Sequence, residues 1–395
     1  MSRKIEGPPQ FGHPGEDKSS NDTHSRLEKE GKNTKKERRP PSWPRKRYHH
    51  DADCSRRRKR LRVPAGDGTS TGGECLQCRR SIKICWVFRA TFPSGSEDFR
   101  VNPAAQARPE FDQFDVQVHV VDYHDHGSLG YALQGVDLVI STISGAEQLN
   151  LIDASGRGRV RMFVPSEFEG SLSRRQSRNG NGNGNDPLDR GSSQALALLK
   201  QWSESSRMKY TVFSCGLFME RFHPYGLANT FNIGHGSGVG GAGEFLVNFS
   251  TATAEYAERD SKGHSVRVCL TSVYDVVRYV VAAVDLGPSH WPQEFTMCGD
   301  RMTVRDLINA CSTASNAVFT RHVRQYAELE TYLSYSAQLC DYDKVAYYQR
   351  LVATANGRYD FSQATLNEAV NGSSSVNVQP VTFGAWLASI WTQAF

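Results

Sequence analysis

The 395-residue sequence has no apolar run near the ~20 residues that cross a bilayer, and its start lacks the apolar core of a signal peptide. Its nine cysteines are odd in number and scattered, unlike the paired set of a secreted disulfide scaffold. The hydrophobic share of 38% is below the roughly 45–50% usual for globular domains. We therefore exclude membrane-spanning, secreted disulfide-rich and collagen-like classes, and expect part of the chain not to fold.

Basic residues are concentrated at the N-terminal end. Residues 1–63 hold 19 Lys and Arg against 9 Asp and Glu, so the net charge of +5 comes from this end. Because the segment has few large apolar residues, burial cannot offset the entropy of ordering it. We predict a disordered basic tail over residues 1–58. Its basic runs resemble a nuclear-import signal or a polyanion-binding arm, but a basic run is a weak signal, and a solvated tail explains these runs slightly better. The expected location is cytoplasmic, with a nuclear one as the alternative.

A glycine-rich stretch follows at residues 66–73. Gly66, Gly68 and Gly72 stand between a short strand predicted at 61–63 and a helix predicted at 75–83, ahead of a second strand at 84–88. Glycines so placed let backbone N–H groups approach a pyrophosphate at a helix N-terminus. Arg89 is the candidate for binding a 2′-phosphate, since guanidinium pairs well with phosphate. A plain surface loop, or a missing first unit of the fold, would explain the same residues.

Two groups of residues have the composition of metal sites. Cys75, Cys78 and Cys85 have the spacing of half a binuclear zinc cluster, but only Cys54 remains nearby where six thiolates are needed. A second group, residues 124–126, is His-Asp-His in a predicted helix-entry turn, where the aspartate is expected to cap the helix. We therefore predict no metal site, and consider direct nucleic-acid binding the weakest interpretation.

From residue 112 onward, β-rich and helical segments alternate. Strands are predicted at residues 114–122, 136–142, 161–166 and 210–215, with helices at 128–133, 148–155 and 194–204. Near-continuous apolar strands that alternate with helices indicate an α/β fold with a doubly wound parallel sheet. Ligands bind such sheets beyond the carboxyl ends of the strands. Farther along, we predict a strand at 267–271 and helices at 273–286, 303–310 and, in pieces, 320–351.

Several segments together resemble one family, the NmrA-like proteins, fungal relatives of isoflavone reductase among the atypical short-chain dehydrogenases. The matching segments are residues 118–123, 135–142, 163–170, 185–191, 210–222 and 357–361. The resemblance implies a Rossmann-like NAD(P)-binding domain at 59–220, with a degenerate first unit, and a smaller C-terminal substrate region at 221–395. It also implies an adenine end near Asp122 and Tyr123. The nicotinamide side would lie near Ser141, Thr142 and Ile143, with Pro165, Ser166 and Phe168 under the cofactor.

The catalytic residues of the family are not all found. Isoflavone-reductase-like enzymes carry a lysine at the start of the helix after the Pro-Ser-Glu-Phe segment, whereas here the first lysine is Lys200, inside that helix. Arg190 could orient an oxyanion or a phosphate, but it stays protonated and cannot act as a general base. Glu167 could bind substrate or cap the following segment. Arg190, Glu167 and Lys200 are therefore the catalytic candidates, and Lys200 is expected to be a solvated helix residue.

Two functions remain open. One is an oxidoreductase that takes NADP, with NADPH preferred over NADH, and acts on a small carbonyl or aromatic substrate. The alternative is a non-catalytic dinucleotide sensor that binds a transcription factor. The missing lysine and the basic tail favour the sensor, whereas the breadth of the isoflavone-reductase-like match favours the oxidoreductase. The expected partner is accordingly either a small-molecule substrate or a transcription factor, and no membrane partner is expected. The sequence does not indicate an oligomeric state.

Overall fold

The computed structural model describes residues 84–87 by their backbone, residue 119, and residues 121–175, 188–227, 245–373 and 376–394. The described residues all belong to one compact unit of the chain. The predicted tail, the glycines Gly66, Gly68 and Gly72, and Arg89 lie outside the described residues. Within the described ranges, no helix has the length and apolarity needed to span a bilayer.

Four strands form a parallel sheet in the order β1-β2-β3-β4. They are β1 (Ile84–Val87), β2 (Leu138–Ser141), β3 (Met162–Val164) and β4 (Lys209–Tyr210). Val87 lies opposite Ser141, and Phe163 lies opposite Tyr210. Beyond Thr211 the chain continues as β5 (Val212–Ser214), which pairs in parallel with β10 (Glu294–Thr296). The strands predicted at 84–88, 136–142, 161–166 and 210–215 are confirmed. Of the strand predicted at 114–122, only residues 119, 121 and 122 are described, and none of them is in a regular element.

Helices pack on both faces of this sheet. They are α1 (His126–Ala132), α2 (Ala146–Arg157) and α3 (Ser192–Ser205) on one face, and α4 (Val273–Leu286) and α8 (Thr365–Asn371) on the other. Alternate residues of β2 enter the two cores: Val139 packs with α1, α2 and α3, whereas Leu138 and Ile140 pack with α4 and α8. A strand buried on both faces needs an uninterrupted apolar run, which explains the sequence of β2. The doubly wound α/β arrangement predicted from the sequence is the observed one.

A separate core is built by the later part of the chain. Its strands are β6 (Leu217–Phe218), β7 (Val247–Asn248), β8 (Thr253–Ala257), β9 (Arg267–Thr271), β11 (Asp300–Thr303) and β12 (Thr320–Arg324). Its helices are α5 (Val304–Ser315), α6 (Tyr326–Gln338), α7 (Tyr342–Ala355) and α9 (Phe383–Ala394). β9 pairs in parallel with β6 and antiparallel with β11. This pairing joins the later core to the chain that leaves β5.

One prediction for the later region is wrong. Residues 320–351 were expected to be helical in pieces, but the first five of them form β12, which pairs in parallel with β8 from Thr320 opposite Thr253 to Arg324 opposite Ala257. The edge of β8 supplies backbone partners that a local sequence pattern does not reveal, so tertiary pairing determined the conformation. The strand predicted at 267–271 and the helix at 273–286 are confirmed.

Candidate functional site

The turn after β2 lies at the carboxyl edge of the sheet. Ser141 is buried, and its hydroxyl oxygen accepts the N–H of Ile143 at 3.4 Å. Ile143 is also buried, whereas Thr142 between them is exposed. Because Val87 pairs with Ser141, β1 ends beside this turn. The hydrogen bond between Ser141 and Ile143 thus holds the turn at the sheet edge, and the Thr142 side chain is exposed to solvent.

The turn after β3 is held by both neighbouring layers. The N–H of Ser166 donates to Oε1 of Gln148 in α2 at 2.7 Å. Pro165 is buried, and the ring of Phe168 stacks on that of Phe213 in β5, with centroids 6.4 Å apart. These contacts fix the path of the chain from β3 toward β5. The turn is therefore held in place at the carboxyl end of β3, the edge at which doubly wound sheets bind ligands.

Asp122 and Tyr123 lie at the entry to α1. The carboxylate of Asp122 accepts the N–H of His124 at 2.8 Å, and the Tyr123 carbonyl accepts Nδ2 of Asn150 in α2 at 3.0 Å. Asp125 caps α1 by accepting the N–H of Gly127 at 2.8 Å, as the sequence predicted. Among the described residues, no group of three or more His, Cys, Asp or Glu could hold a metal ion. Asp122 is exposed, so it remains accessible to a ligand.

Glu167 is a buried carboxylate that joins the β3 turn to α3. Its Oε2 atom forms an ion pair with Arg175 and accepts the hydroxyl of Ser192, the first residue of α3, at 2.8 Å. Burial raises the pKa of Glu167, while the charge of Arg175 and the hydrogen bonds from Arg175 and Ser192 oppose that shift. The side chains of both Glu167 and Arg175 are less than one-tenth exposed. Glu167 thus binds the segment that follows β3 and positions the helix N-terminus.

Glu169 forms a second ion pair two residues along. Arg358 donates from Nε and Nη2 to the two carboxylate oxygens, each at 3.0 Å, and the Tyr359 hydroxyl reaches Oε1 at 3.4 Å. Although burial favours the neutral carboxyl, the charge and hydrogen bonds of Arg358 keep the pKa of Glu169 below its usual value. The Glu169 carbonyl accepts the N–H groups of Cys215 and Gly216, just after β5, at 2.8 and 3.1 Å. These contacts bring three distant parts of the chain together.

A further charged residue lies beside this pair. Arg221 belongs to the 3-10 helix Met219–Phe222, which follows β6, and its electrostatic neighbours are Tyr359, Glu169, Arg190 and Cys215. Its Nε atom is buried and has no hydrogen-bond partner among the described residues. Burial lowers the pKa of Arg221 and raises that of the Cys215 thiol. Cys215 is therefore a buried, protonated cysteine rather than a reactive thiolate.

We call this arrangement the carboxyl-edge site. It comprises Ser141, Thr142, Ile143, Pro165, Ser166, Glu167, Phe168, Glu169, Arg175, Ser192, Cys215, Arg221, Arg358 and Tyr359. The sequence argument did not name Glu169, Arg175, Arg221 or Arg358 as site residues. Glu169, Arg221 and Arg358 stand in segments that carried the family resemblance, and this was the one signal that could have identified them.

The two remaining catalytic candidates lie at the edge of this site or away from it. Arg190 is exposed just before α3, and its charge lowers the pKa of Arg221. Lys200 is exposed on α3, whose buried face is formed by Ala195 and Leu199. At 1.5 Å of rise per residue, Lys200 stands roughly two turns beyond Ser192, which contacts Glu167. The position at the start of α3 is therefore taken by a serine.

Comparison with known proteins gives structural matches only. No family model matches the chain, and no curated protein sequence matches it. A crystal structure of isoflavone reductase is 18% identical and has a TM-score of 0.52, covering 78% of this chain and 90% of that chain. A crystal structure of pinoresinol-lariciresinol and phenylcoumaran benzylic ether reductases is 16% identical, with a TM-score of 0.51 and coverage of 78% and 90%.

A third match is AtPrR2 in complex with NADP+ and (+)-pinoresinol, 15% identical, with a TM-score of 0.51 and coverage of 71% of this chain and 84% of that chain. Similarity at this level of identity establishes the fold. The chain therefore has a Rossmann-like α/β fold of the kind found in these reductases.

Proposed function

We propose that the chain is an NmrA-like, isoflavone-reductase-like protein that binds NADP at the carboxyl-edge site and reduces a small carbonyl or aromatic substrate. The observation that carries this proposal is the arrangement at the ends of β2 and β3. Two parallel strands end side by side, and hydrogen bonds to Ser141 and Gln148 hold the turns that follow them. Doubly wound sheets bind dinucleotides at this edge. The reductases with this fold named above include one solved with NADP+.

The residues present fit a dinucleotide. Thr142 is exposed at the sheet edge and could donate to a phosphate or a ribose hydroxyl, while Ser141 and Ile143 hold its backbone in place. Asp122 is exposed near the proposed adenine end and could accept from the ribose 3′-hydroxyl, because the 2′ position of NADP carries the phosphate. When bound, the reduced dinucleotide would supply the hydride. The chain's own residues would position the ligand, and Phe168 with Pro165 would form the floor beneath it.

The phosphate-binding part of the proposal rests on sequence alone. The proposed phosphate-binding loop contains Gly66, Gly68 and Gly72. Arg89 is the proposed partner of the 2′-phosphate, and this contact would favour NADPH over NADH. Arg89 follows β1 by two residues, and β1 ends beside Ser141. Replacing Arg89 with methionine should therefore reduce affinity for NADPH but not for NADH. Alanine or valine at Gly68 should reduce affinity for both.

A second function, a dinucleotide sensor that binds a transcription factor, is favoured by one observation. The start of α3 carries Ser192 in contact with Glu167, and Lys200 is exposed about two turns away. The start of α3 therefore has no lysine that could act as a general acid. In this alternative the same site binds the oxidised or reduced dinucleotide, and no substrate is turned over.

Titration distinguishes these functions. The full chain is titrated with NADP+, NADPH, NAD+ and NADH by calorimetry, and then incubated with NADPH and a panel of enones, aldehydes and lignan-like compounds. Loss of NADPH absorbance with a substrate supports the reductase. Tight binding with no turnover on the panel favours the sensor, and failure to bind any of the four dinucleotides refutes both functions.

A further inference from the structure

A cavity of about 450 Å³ lies outside the carboxyl-edge site. Its wall is formed by the 3-10 helix Leu172–Arg174, the connection from β8 to β9, and the end of α7 with the residues that follow it. Several wall residues are exposed, among them Lys262, His264 and Arg267, so solvent reaches the cavity. Small-molecule sites have volumes of roughly 300–1,000 Å³, and the cavity can therefore admit a ligand of that size.

Three basic side chains on the wall come from different segments of the chain. Arg174 ends the 3-10 helix, Lys262 lies between β8 and β9, and Arg267 begins β9. Within the described residues, none of these three side chains takes part in an ion pair or a hydrogen bond. Unpaired cations on a concave wall attract anions, because the low-dielectric wall concentrates their field in the cavity.

The two carboxylates on the wall already have donors. One oxygen of Asp260 accepts the backbone N–H groups of Lys262 and His264, each at 2.8 Å, and the other lies 3.2 Å from Nδ1 of His264. Asp360 accepts two hydrogen bonds from Arg301, at 2.6 and 3.0 Å. Neither carboxylate therefore pairs with the three basic side chains of the wall.

The charge around the cavity is positive even with the wall imidazole neutral. Three fixed cations and two carboxylates line the cavity, and the arginine that pairs with the second carboxylate adds a fourth cation. Adjacent carboxylates have partners of their own. Glu258, beside the connection, pairs with Arg305. Glu169 pairs with Arg358, and Asp306 accepts the hydroxyl of the α5 cap at 2.6 Å, near the positive end of the helix dipole.

The lining favours a phosphate ester that also carries hydroxyl groups. A phosphate near neutral pH has about two negative charges and three acceptor oxygens, which suits cations that approach from several segments. The hydroxyls of Ser261 and Ser265, with the carboxylates of the wall, can form hydrogen bonds with sugar hydroxyls. Of the residues that the structure describes, no Phe, Tyr or Trp lines the cavity, so an aromatic ring would have no stacking partner there.

The cavity is separate from the position proposed for the cofactor. Arg267 begins β9, whereas Thr271 ends it and donates from its hydroxyl to the carbonyl of Cys215, a residue of the carboxyl-edge site, at 2.8 Å. At about 3.3 Å of rise per residue, the two ends of β9 are about 13 Å apart. A ligand in the cavity therefore lies at the other end of this strand from the carboxyl-edge site.

We propose that this cavity binds a sugar phosphate, with Arg174, Lys262 and Arg267 holding the phosphate. The planar fork of an arginine matches two phosphate oxygens, and a charge-assisted hydrogen bond is about twice as strong as a neutral one. The serines and carboxylates of the wall bind the sugar hydroxyls. This site does not depend on dinucleotide binding at the carboxyl-edge site.

The test compares ligands that share one sugar ring and differ in charge. Glucose 6-phosphate, glucuronate and glucose carry two, one and no negative charges at carbon 6, and ribose 5-phosphate and inorganic phosphate complete the panel. Each is titrated by calorimetry into the full chain, with and without NADP+, at a pH above the second phosphate pKa of about 6.

The variants are Arg267→Met, Lys262→Met and Arg267→Lys. The matched control is Arg321→Met, which replaces an exposed arginine of β12 that does not line the cavity. Thermal melts of each variant check that it is folded.

The wild-type chain should bind at least one sugar phosphate about tenfold more tightly than glucuronate, and glucose more weakly still, because each added charge strengthens the contact with the wall. Arg267→Met and Lys262→Met should each lower this affinity about tenfold. Arg267→Lys should lose less, since it keeps the charge without the fork, and Arg321→Met should bind as the wild type does. NADP+ should not compete with the sugar phosphate.

Four results would overturn the proposal. They are no binding of either sugar phosphate or binding no tighter than that of glucuronate, an affinity unchanged in both Arg267→Met and Lys262→Met, competition by NADP+, and binding of inorganic phosphate as tight as that of the sugar phosphates. Competition would assign the phosphate to the cofactor site, and the last result would leave an anion site without a sugar. If a sugar phosphate binds through Arg267 but no dinucleotide binds, the cavity site stands and the proposed function fails.

Discussion

Replacing Arg358 with methionine should destabilise the protein in a way that depends on pH. Arg358 is 3% exposed and gives two hydrogen bonds to Glu169. Its removal leaves a carboxylate with one weak donor, Tyr359, in a partly buried position. Breaking a fully buried pair costs about 3–5 kcal/mol. Because the Glu169 side chain is 30% exposed, water screens part of the charge, and we expect a loss of about 2–3 kcal/mol at neutral pH.

The pH dependence follows from the direction of the shift. The pKa of Glu169 is lowered below the ordinary value of 4.5, so the unfolded state binds the proton more readily than the folded state does. The contribution of the Glu169–Arg358 pair to the unfolding free energy is therefore complete above pH 4.5, and it is lost as the pH falls through the folded-state pKa of Glu169. The difference in unfolding free energy between wild type and Arg358→Met should be constant near neutrality and narrow on acidification below 4.5.

The assay is urea denaturation of both proteins at neutral and acid pH, with Arg301→Met as the control. Arg301 makes the same two-bond contact with Asp360, at 2.6 and 3.0 Å, but its side chain is 39% exposed. An exposed pair contributes about 0–1 kcal/mol, so the control should lose much less stability. Equal losses in the two variants, or a loss for Arg358→Met that does not change with pH, would refute the argument from burial.

Three further predictions follow from packing and protonation. A Cβ atom at Gly156 would lie 2.3 Å from the Trp202 ring, so Gly156→Ala should lower the unfolding free energy by about 1–3 kcal/mol in urea denaturation, whereas Gly130→Ala, in open space, should not. Burial raises the pKa of Glu220, so the unfolding free energy of the wild type should fall as the pH rises from 4.5 through the folded-state pKa. In Glu220→Gln the side chain has no proton to lose, so chemical denaturation of this variant should not show the fall. Iodoacetamide, followed by peptide mass spectrometry, should label the exposed Cys340 well before Cys215 and Cys311, whose thiols are buried and have raised pKa values; early labelling of Cys215 would contradict its burial.

Elements with a strong local signal were predictable. The apolar runs of β2 and β3 and the helix at Val273–Leu286 were located within a residue or two, because burial on both faces or along one stripe leaves a periodic mark in the sequence. The family resemblance also placed Pro165, Ser166 and Phe168 at the carboxyl edge. Whether these residues contact a cofactor stays a prediction.

Other features had no local signal. The residues of β12 were predicted to be helical, but they form a strand because they pair with the edge of β8. The Glu169–Arg358 pair joins residues 189 positions apart, and nothing in either segment indicates the other. The Nε atom of Arg221, which has no hydrogen-bond partner within the described part of the chain, likewise depends on which carboxylates other arginines have already bound.

The sequence by itself determined the order of strands and helices from β2 to β4, the excess of basic residues before residue 64, and the absence of a lysine at the start of the helix that follows the Pro-Ser-Glu-Phe segment. These are properties of composition and short-range pattern. Only the tertiary structure decided which charges are paired and which are left over, because pairing depends on distances between parts of the chain that are far apart in sequence. The Glu167–Arg175 and Glu169–Arg358 ion pairs arise at that level.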